Sequence, residues 1–591
     1  MTIWEGFADV ASTRNELSDF RSNSIAGMAK AYPQLLTPTP GGVISSIAPP
    51  EPRVSVVIGG GSGHYPAFGG MVGPGMADAA VLGDIFASPS AAQVANVARA
   101  VDQGCGILLT FGNYTGDVLN FSAAAQMLRA DGVDARLLPV TDDIASADLA
   151  KWEQRRGIAG DLVVFRIAGA ATARGLPLDE VERLARVANH RTRSLGVAYS
   201  GCTLPGADEP LFTLPESMMG IGMGIHGEPG LETVPRRPSD EVAALLVDKV
   251  LTDLQLSGLT PELVIPIVNG LGALSADELF VAYGAVERSL AARGIEVSNA
   301  LVGTFCSSFD MSGFSVTLFV PDDELLALWS EPLETPSLRI GTVDHTGTSR
   351  RVAITEERKP EVAELLPVSE VSAARASQVS VALAAVAEEL ARLEPELGRI
   401  DAVAGDGDHG IGMARGSAAA VTAAAQAARE GHGAAATLAA AARGWADRAG
   451  GTSGAIWGAM LSTATRALTA EKILTTTDIA KIATEVANEV RAMGGAEVGD
   501  KTIVDALVPF ADSLQDSAAS GLPLAESWRL AGTAAQVASD GTRSMAARRG
   551  RARTHGAASE GTPDPGCVSF AAVVATIGDA LTSNSDRKAQ A

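Results

Sequence analysis

The 591-residue sequence has only four cysteines, Cys105, Cys202, Cys306 and Cys567, far apart and without a C-x-x-C pair. That scarcity argues against a disulfide scaffold and a zinc site and suits a reducing compartment. Basic charge is also short: 46 Lys and Arg face 69 Asp and Glu, for a net charge of −23. Nucleic-acid backbones are held largely by clustered Lys and Arg, so they are not expected as partners. No stretch approaches the roughly 18 uncharged apolar residues that span a bilayer. The opening MTIWEGFADVASTRNEL lacks a basic run followed by an apolar one. Membrane insertion and secretion are not expected; a cytoplasmic location is.

With 46% apolar and 19% charged residues, the chain can bury real cores, and its length calls for two or more domains. In the N-terminal half, short β-branched runs alternate with helix-like stretches: VSVVIG at 54–59, GILLTFG at 106–112, LVVFRIAG at 162–169, ELVIPIVNG at 262–270 and FSVTLFV at 314–320. This pattern reads as α/β. Farther on, SAARASQVSVALAAVAEELARLEPEL and the Ala-rich stretches at 417–448 and 476–493 repeat apolar residues at three and four spacing, which predicts helices. The stretch between, with prolines, charges and no sustained period, suits a linker. The expected organisation is an α/β domain over 1–335 (subdomains 1–185 and 186–335), a linker over 336–370 and an all-α domain over 371–591.

Three glycine-rich islands stand out in the first half. In VVIGGGSGHYP, glycines 59–61 and 63 let the backbone turn sharply and approach a ligand, with His64 beside them. It is not a P-loop, because no Lys-Ser/Thr follows, and a G-x-G-x-x-G frame puts His64 where the last glycine belongs. Alone, it reads equally as a tight structural turn. GNYTGDVLNF sets Asp117 at a strand end, the usual address of catalytic groups in open α/β sheets, although a lone Asp there also reads as a helix cap. MGIGMGIHGEPG surrounds His226 with glycines that expose its ring, in a run too glycine-rich for an ordinary helix or strand.

In the second half, RIDAVAGDGDHGIGMARG spaces Asp401, Asp406 and Asp408 as D-x4-D-x-D, with Gly405, Gly407 and Gly410 among them. The register excludes an EF-hand, because Ser417 or Gly412 stands where the bidentate Glu belongs. Three carboxylates on a flexible loop suit Mg2+ completed by phosphates; a solvated acidic turn is the alternative, disfavoured by mutual repulsion. AGGTSGAIWG offers Thr452, Ser453 and free N–H groups at a helix start, which suits phosphate oxygens.

Taken in order, GGGSGH, NYTGDVLNF, GMGIHGEPG, VNGLGA, DAVAGDGDHG, GGTSG, GDKTIVDAL and DPG resemble the dihydroxyacetone kinase family over nearly the whole chain. The likeness is to the single-chain ATP-dependent form, which joins a K-type ketose-binding domain of two α/β subdomains to an L-type helical barrel. The resemblance implies that His226 forms a covalent hemiaminal with the ketose carbonyl, that Asp117 and His64 act as acid/base and hydrogen-bonding partners, and that Gly61, Ser62 and Gly63 contact substrate. It implies two Mg2+ on Asp401, Asp406 and Asp408. Nucleotide contacts are implied at His409, Gly410, Ile411, Gly412, Thr452, Ser453, Arg551, Asp564, Pro565 and Gly566. It also implies a homodimer.

Three departures bear on specificity. Tyr65 replaces the family's usual acid in GSGHEP, Gly112 replaces the lysine of KNYTGD, and RARTHGAASEGTPDPG replaces the customary YLGER core. Losing the lysine leaves room for an extra carbon and hydroxyl, so a tetrulose such as erythrulose is expected over dihydroxyacetone. Two other functions known in the family remain as alternatives: cyclase or lyase activity on a flavin nucleotide, and ketose-dependent regulation of transcription.

Overall fold

Val56, Val57, Ile58, Ile107, Leu108 and Leu109 are all fully buried, so the strands that carry them need a helical layer on each face, as parallel sheets do. The computed structural model describes residues 20–205, 207, 209–351, 368–403, 405, 407–468, 474–549 and 559–590. The chain divides into two compact units, Met1–Arg358 and Lys359–Ala591.

Among its described residues the first unit holds two large sheets and two short two-stranded ones. Strands β1 (Leu36–Thr39), β2 (Gly42–Ser45), β3 (Ser55–Ser62), β4 (Ala79–Ile85), β5 (Ile107–Gly112) and β6 (Ala135–Val140) run in the order β1-β2-β4-β3-β5-β6. Pairings β3–β4, β3–β5 and β5–β6 are parallel. Helices α1 (Ala91–Val101) and α2 (Thr115–Ala130) pack with Val57, Ile107 and Leu109. Helix α3 (Asp161–Ala173) packs in the cluster that holds Val56, Ile58 and Leu108. Residues 162–169, expected to form a strand, lie within α3. Every residue from 161 to 172 is buried there, so the helix has no polar face from which a 3.6-residue period could be read.

The second sheet comprises β7 (Thr192–Ala198), β8 (Met218–Ile221), β9 (Glu232–Pro235), β10 (Leu263–Gly270), β11 (Glu296–Val297), β12 (Leu301–Gly303) and β13 (Gly313–Phe319). Its order is β9-β8-β7-β13-β10-β11, with β12 also on β10. Its central pairings, β7–β13 and β13–β10, are antiparallel. Helices α4 (Ser239–Leu256) and α5 (Ala276–Ala291) cover it through one apolar cluster.

The second unit consists, among its described residues, of eight helices: α6 (Glu370–Asp401), α7 (His409–Arg429), α8 (Ala434–Ala449), α9 (Gly451–Ala467), α10 (Thr476–Gly494), α11 (Val504–Ala519), α12 (Leu524–Gly541) and α13 (Pro565–Gln590). The alanine enrichment is a packing device: a Cβ added at Gly416 of α7 would lie 2.7 Å from both Ala449 Cβ and Trp445 Cδ1 of α8. An aromatic chain then ties the later helices together. Trp445 stacks on Trp457 at 4.9 Å, Trp457 meets Phe570 at 6.3 Å, and Phe570 meets Phe510 edge-on at 5.6 Å. Phe570→Ala removes the link shared by α9, α11 and α13. It should cost about 3–5 kcal/mol, read as a lowered urea midpoint by tryptophan fluorescence; a loss below about 1 kcal/mol would show that this chain is not the core's keystone.

Candidate active site

The strand order creates the site. Strand β3 connects onward to β4 on one side and β5 to β6 on the other, so the carboxyl ends of β3 and β5 border a switch-point crevice, where open α/β sheets bind ligands. The Gly-rich end of β3 delivers His64 there, and the first turn of α2, just beyond β5, delivers Asp117. The loop after β8 delivers His226. The three side chains are 1%, 8% and 5% exposed, respectively. They line one cleft together with Gly59, Gly60, Gly61, Gly112, Tyr114 and Asp161. Ser62 and Gly63 do not line it. Ser62 Oγ donates to the Gly83 carbonyl. At Gly63 (φ +108°) a Cβ would lie 2.7 Å from the rings of Phe86 and Phe309.

The two imidazoles meet edge to edge, Nε2 to Nε2, at 3.0 Å. Their outer nitrogens fix the tautomers. His64 Nδ1 lies 2.8 Å from the Ser307 carbonyl, which can only accept, so Nδ1 carries a proton. His226 Nδ1 lies 3.2 Å from Glu228 Oε1, and the Glu228 carboxylate also accepts the His226 backbone N–H at 3.0 Å. Arg156, bonded to Asp143, also lies 3.6 Å from Glu228. A hydrogen bond across the 3.0 Å contact needs one proton on one of the two Nε2 atoms. Aromatic rings enclose it: Phe86 stacks on His64 at 4.8 Å, and Phe86 and Tyr114 stand edge-on to His226 at 5.1 and 4.7 Å. Phe86 and Phe309 reach these places with φ of +54° and +48°, a backbone strain of about 1–3 kcal/mol each for bulky residues.

The other wall is neutral. A Cβ built on Gly112 would meet Tyr114 Cε2 at 3.2 Å, the Gly157 carbonyl at 3.3 Å and Asp161 Oδ2 at 3.4 Å, so these neighbours pack closely over the position where the resemblance expects a lysine. Burial, with Asp142 and Asp117 nearby, pushes the Asp161 carboxyl well above the ordinary range. Burial likewise raises the Tyr114 phenol, so both stay protonated at neutral pH. Tyr65 is half exposed and does not line the cleft; of the two departures in the first half, only Gly112 shapes it.

In the helical unit, α6 ends at Asp401 and α7 begins at His409, so the acidic loop joins two helices, as its spacing predicts. Asp401 Oδ2 accepts the His409 N–H at 3.3 Å. A Cβ at Gly405 would strike Asp401 Oδ1 at 2.4 Å, leaving that oxygen cradled by bare backbone. Burial, with Asp401 beside it, pushes Asp408 up to about 7. Asp564 is also pushed up to about 7, by burial with Asp505 and Asp401 adding to it. His409 binds the loop to two other helix starts, with Nδ1 3.2 Å from Ser453 Oγ and Nε2 2.9 Å from Ser569 Oγ. The N-termini of α7 (His409, Gly410, Ile411, Gly412), α9 (Thr452, Ser453) and α13 (Pro565, Gly566) are thus gathered beside the carboxylates, an arrangement suited to phosphate with a cation. The donors are all oxygen, which fits Mg2+. Asp406 and Arg551 lie outside the described residues; among those described, no three candidate ligands close on one point.

Several residues here were not picked from the sequence. Glu228 and Tyr114 sat inside quoted motifs, but Arg156 and Asp161 carried no signal. In the helical unit Asp505 accepts the N–H groups of Gly499 and Thr502, and buried Lys501 donates to the carbonyls of Met545, Ser559 and Thr562. Both belong to GDKTIVDAL.

The neutral Asp161 has a measurable consequence. Folded protein keeps its proton while unfolded chain loses it above about pH 4, so this group costs stability as pH rises from there. Asp161→Asn, always neutral, should raise the melting temperature of unliganded protein at about pH 8, with the gain shrinking toward about pH 4; a pH-independent gain would contradict a buried neutral acid.

Comparison with known proteins agrees with this architecture. A Dak1 domain matches residues 26–337 and a DAK2 domain matches residues 403–579. An L-erythrulose kinase of Pectobacterium atrosepticum is 44% identical over 573 residues, covering 96% of each chain. A D-erythrulose kinase of Mycolicibacterium smegmatis is 45% identical, covering 96% of this chain and 98% of its own. A crystal structure of the dihydroxyacetone kinase from C. freundii, in complex with AMP-PNP and Mg2+, superposes with a TM-score of 0.50 at 29% identity, covering 95% of this chain and 98% of that one. This chain belongs to the dihydroxyacetone kinase family, in the single-chain form that carries both domains.

Proposed function

We infer that this ATP-dependent ketose kinase phosphorylates a primary hydroxyl of a four-carbon ketose, erythrulose, held as a hemiaminal on His226. The observation that carries the reading is that Gly112, a glycine where the family has a lysine, lines the cleft shared by His64, Asp117 and His226 and brings no cation into it. Two relatives named for erythrulose, each 44–45% identical along 96% of the chain, support it.

The histidine pair supplies the capture step. When a ketose carbonyl enters the cleft, the shared proton passes through His64 to the carbonyl oxygen, while the freed Nε2 of His226 bonds to the carbonyl carbon. The product is a neutral hydroxyl on a tetrahedral carbon and a cationic ring whose Nδ1–H faces Glu228. Capture fixes the ketose and orients its primary hydroxyl. Asp117 takes that hydroxyl's proton as its oxygen attacks the γ-phosphate of ATP.

In this reading residues 1–335 form the K-type ketose-binding domain, with subdomains 1–185 and 186–335, residues 336–370 the linker, and residues 371–591 the L-type nucleotide domain. Asp401, Asp406 and Asp408 would hold two Mg2+, whose chemistry is to neutralise the triphosphate. Phosphate and nucleotide contacts fall on His409, Gly410, Ile411, Gly412, Thr452, Ser453, Arg551, Asp564, Pro565 and Gly566. The working form is a cytoplasmic homodimer.

A coupled ATP assay across three- and four-carbon ketoses tests the substrate. Higher kcat/KM for at least one erythrulose enantiomer than for dihydroxyacetone is expected, and the reverse order sinks the tetrulose assignment. Asp117→Ala should lower kcat by about 10^2–10^4 with ketose binding retained. His226→Ala should weaken ketose binding and erode discrimination against glycerol, which has no carbonyl to trap; unchanged discrimination would end the covalent role.

A further inference from the structure

We propose that Ser308 is a positioning residue for ketose capture: through the Ile225 carbonyl, its hydroxyl holds His226 against His64. The proposal rests on the covalent reading of His226 above.

Residues 305–309, between β12 and β13, join the two halves of the site. On the His64 side, backbone bonds hold this loop. Ser307 N–H donates to the His64 carbonyl at 3.1 Å, Phe309 N–H to the Gly63 carbonyl at 3.3 Å, and Ala67 N–H to the Phe305 carbonyl at 3.1 Å. The Ser307 carbonyl in turn accepts from His64 Nδ1 at 2.8 Å. On the side of the second sheet, Asn269 of the VNGLGA motif holds the loop from near the end of β10. Its Oδ1 accepts the N–H groups of Phe305 and Cys306 at 2.7 and 2.9 Å, and its Nδ2 donates to the Cys306 carbonyl at 2.9 Å and to Ser315 Oγ at 3.2 Å. Two N–H groups converging on one atom identify that atom as the amide oxygen. Ser308 N–H adds a bond to the Leu271 carbonyl at 2.7 Å. With its backbone groups paired on both sides, the loop is a fixed frame for the site.

A hydroxyl attaches His226 to that frame. Ser308 is fully buried, and its Oγ donates to the Ile225 carbonyl at 2.6 Å. That carbonyl belongs to the same peptide group as the His226 N–H, which Glu228 accepts at 3.0 Å. Glu228 lies two residues farther along the same loop, so its bonds orient the imidazole within that loop. The Ser308 bond ties the loop itself to the frame that carries His64. The 3.0 Å contact between the two rings joins positions 162 residues apart, and one dipeptide, Ser307–Ser308, bonds to both sides of it. Capture needs His226 Nε2 aimed at the carbonyl carbon while His64 delivers a proton to the oxygen. A misplacement of about 1 Å can cost such a step about 10^2-fold, so the tether bears directly on it.

The test compares Ser308→Ala with Ser55→Ala. Ser55 makes a matching bond, from Oγ to the Val101 carbonyl at 2.6 Å, and is also fully buried, but it stands at the end of β3 remote from His64. Erythrulose and dihydroxyacetone, each labelled with 13C at the carbonyl carbon, are titrated into the full chain without nucleotide, and the tetrahedral-carbon signal is followed. The dissociation constant so obtained does not depend on any unfolded fraction. Ser308→Ala should raise it by at least about tenfold and raise the ketose KM alike, leaving the KM for ATP unchanged. Ser55→Ala should leave it at the wild-type value. Ser308→Cys, close in size with a weak S–H donor, should fall between wild type and Ser308→Ala, and it decides alone if the alanine variant does not fold. A wild type that shows the tetrahedral carbon, with Ser308 variants that bind ketose as tightly, overturns the role of Ser308 while sparing the covalent reading. A saturated wild type without that signal overturns both.

Discussion

The N-terminal site depends on a single contact, two imidazoles held nitrogen to nitrogen with one proton between them. Such a pair persists only when both outer nitrogens are tied down. Ser307 does this for His64 with a backbone carbonyl, and Glu228 does it for His226 with a carboxyl group 3.6 Å from Arg156. The pair lies among aromatic faces, with Glu228 3.2 Å from His226 Nδ1. In the capture step we propose, that proton moves to a carbonyl oxygen, and Glu228 faces the ring whose nitrogen bonds to the carbonyl carbon.

The molecule handles its buried acids in two ways. In the cleft, Asp161 is left without any cation and stays neutral, and Asp142, bonded to the N–H groups of Ile158 and Gly160, is pushed up to about 6. In the helical unit, Asp401, Asp408 and Asp564 crowd beside three helix N-termini, where mutual repulsion is the cost of a place that a cation and phosphates can fill. The first arrangement suits an uncharged sugar and the second a charged nucleotide, which is the division of labour a ketose kinase needs.

Much of this could be read from residue patterns. The β-branched runs at 54–59, 106–112, 262–270 and 314–320 are strands, and the alanine-rich stretches are helices, because in each the apolar spacing reflects which face is covered. His64, Asp117 and His226 stood out because glycines clear space around them. Helix α3 was misread as a strand since complete burial erases its period, and Asp161 at its start was overlooked for the same reason. Arg156 and Glu228 matter through a contact made across a fold, which no local pattern encodes. Tyr65 differs from the family pattern next to His64, yet it does not line the cleft, so proximity in sequence misleads where proximity in space decides.

The most direct test of the central claim is 13C NMR of the protein saturated with erythrulose labelled at its carbonyl carbon, without nucleotide. The account predicts that bound ketose loses its ketone resonance and shows a tetrahedral carbon attached to imidazole nitrogen, a signal that disappears in His226→Ala. A ketone resonance that survives in the fully bound wild-type protein would contradict it.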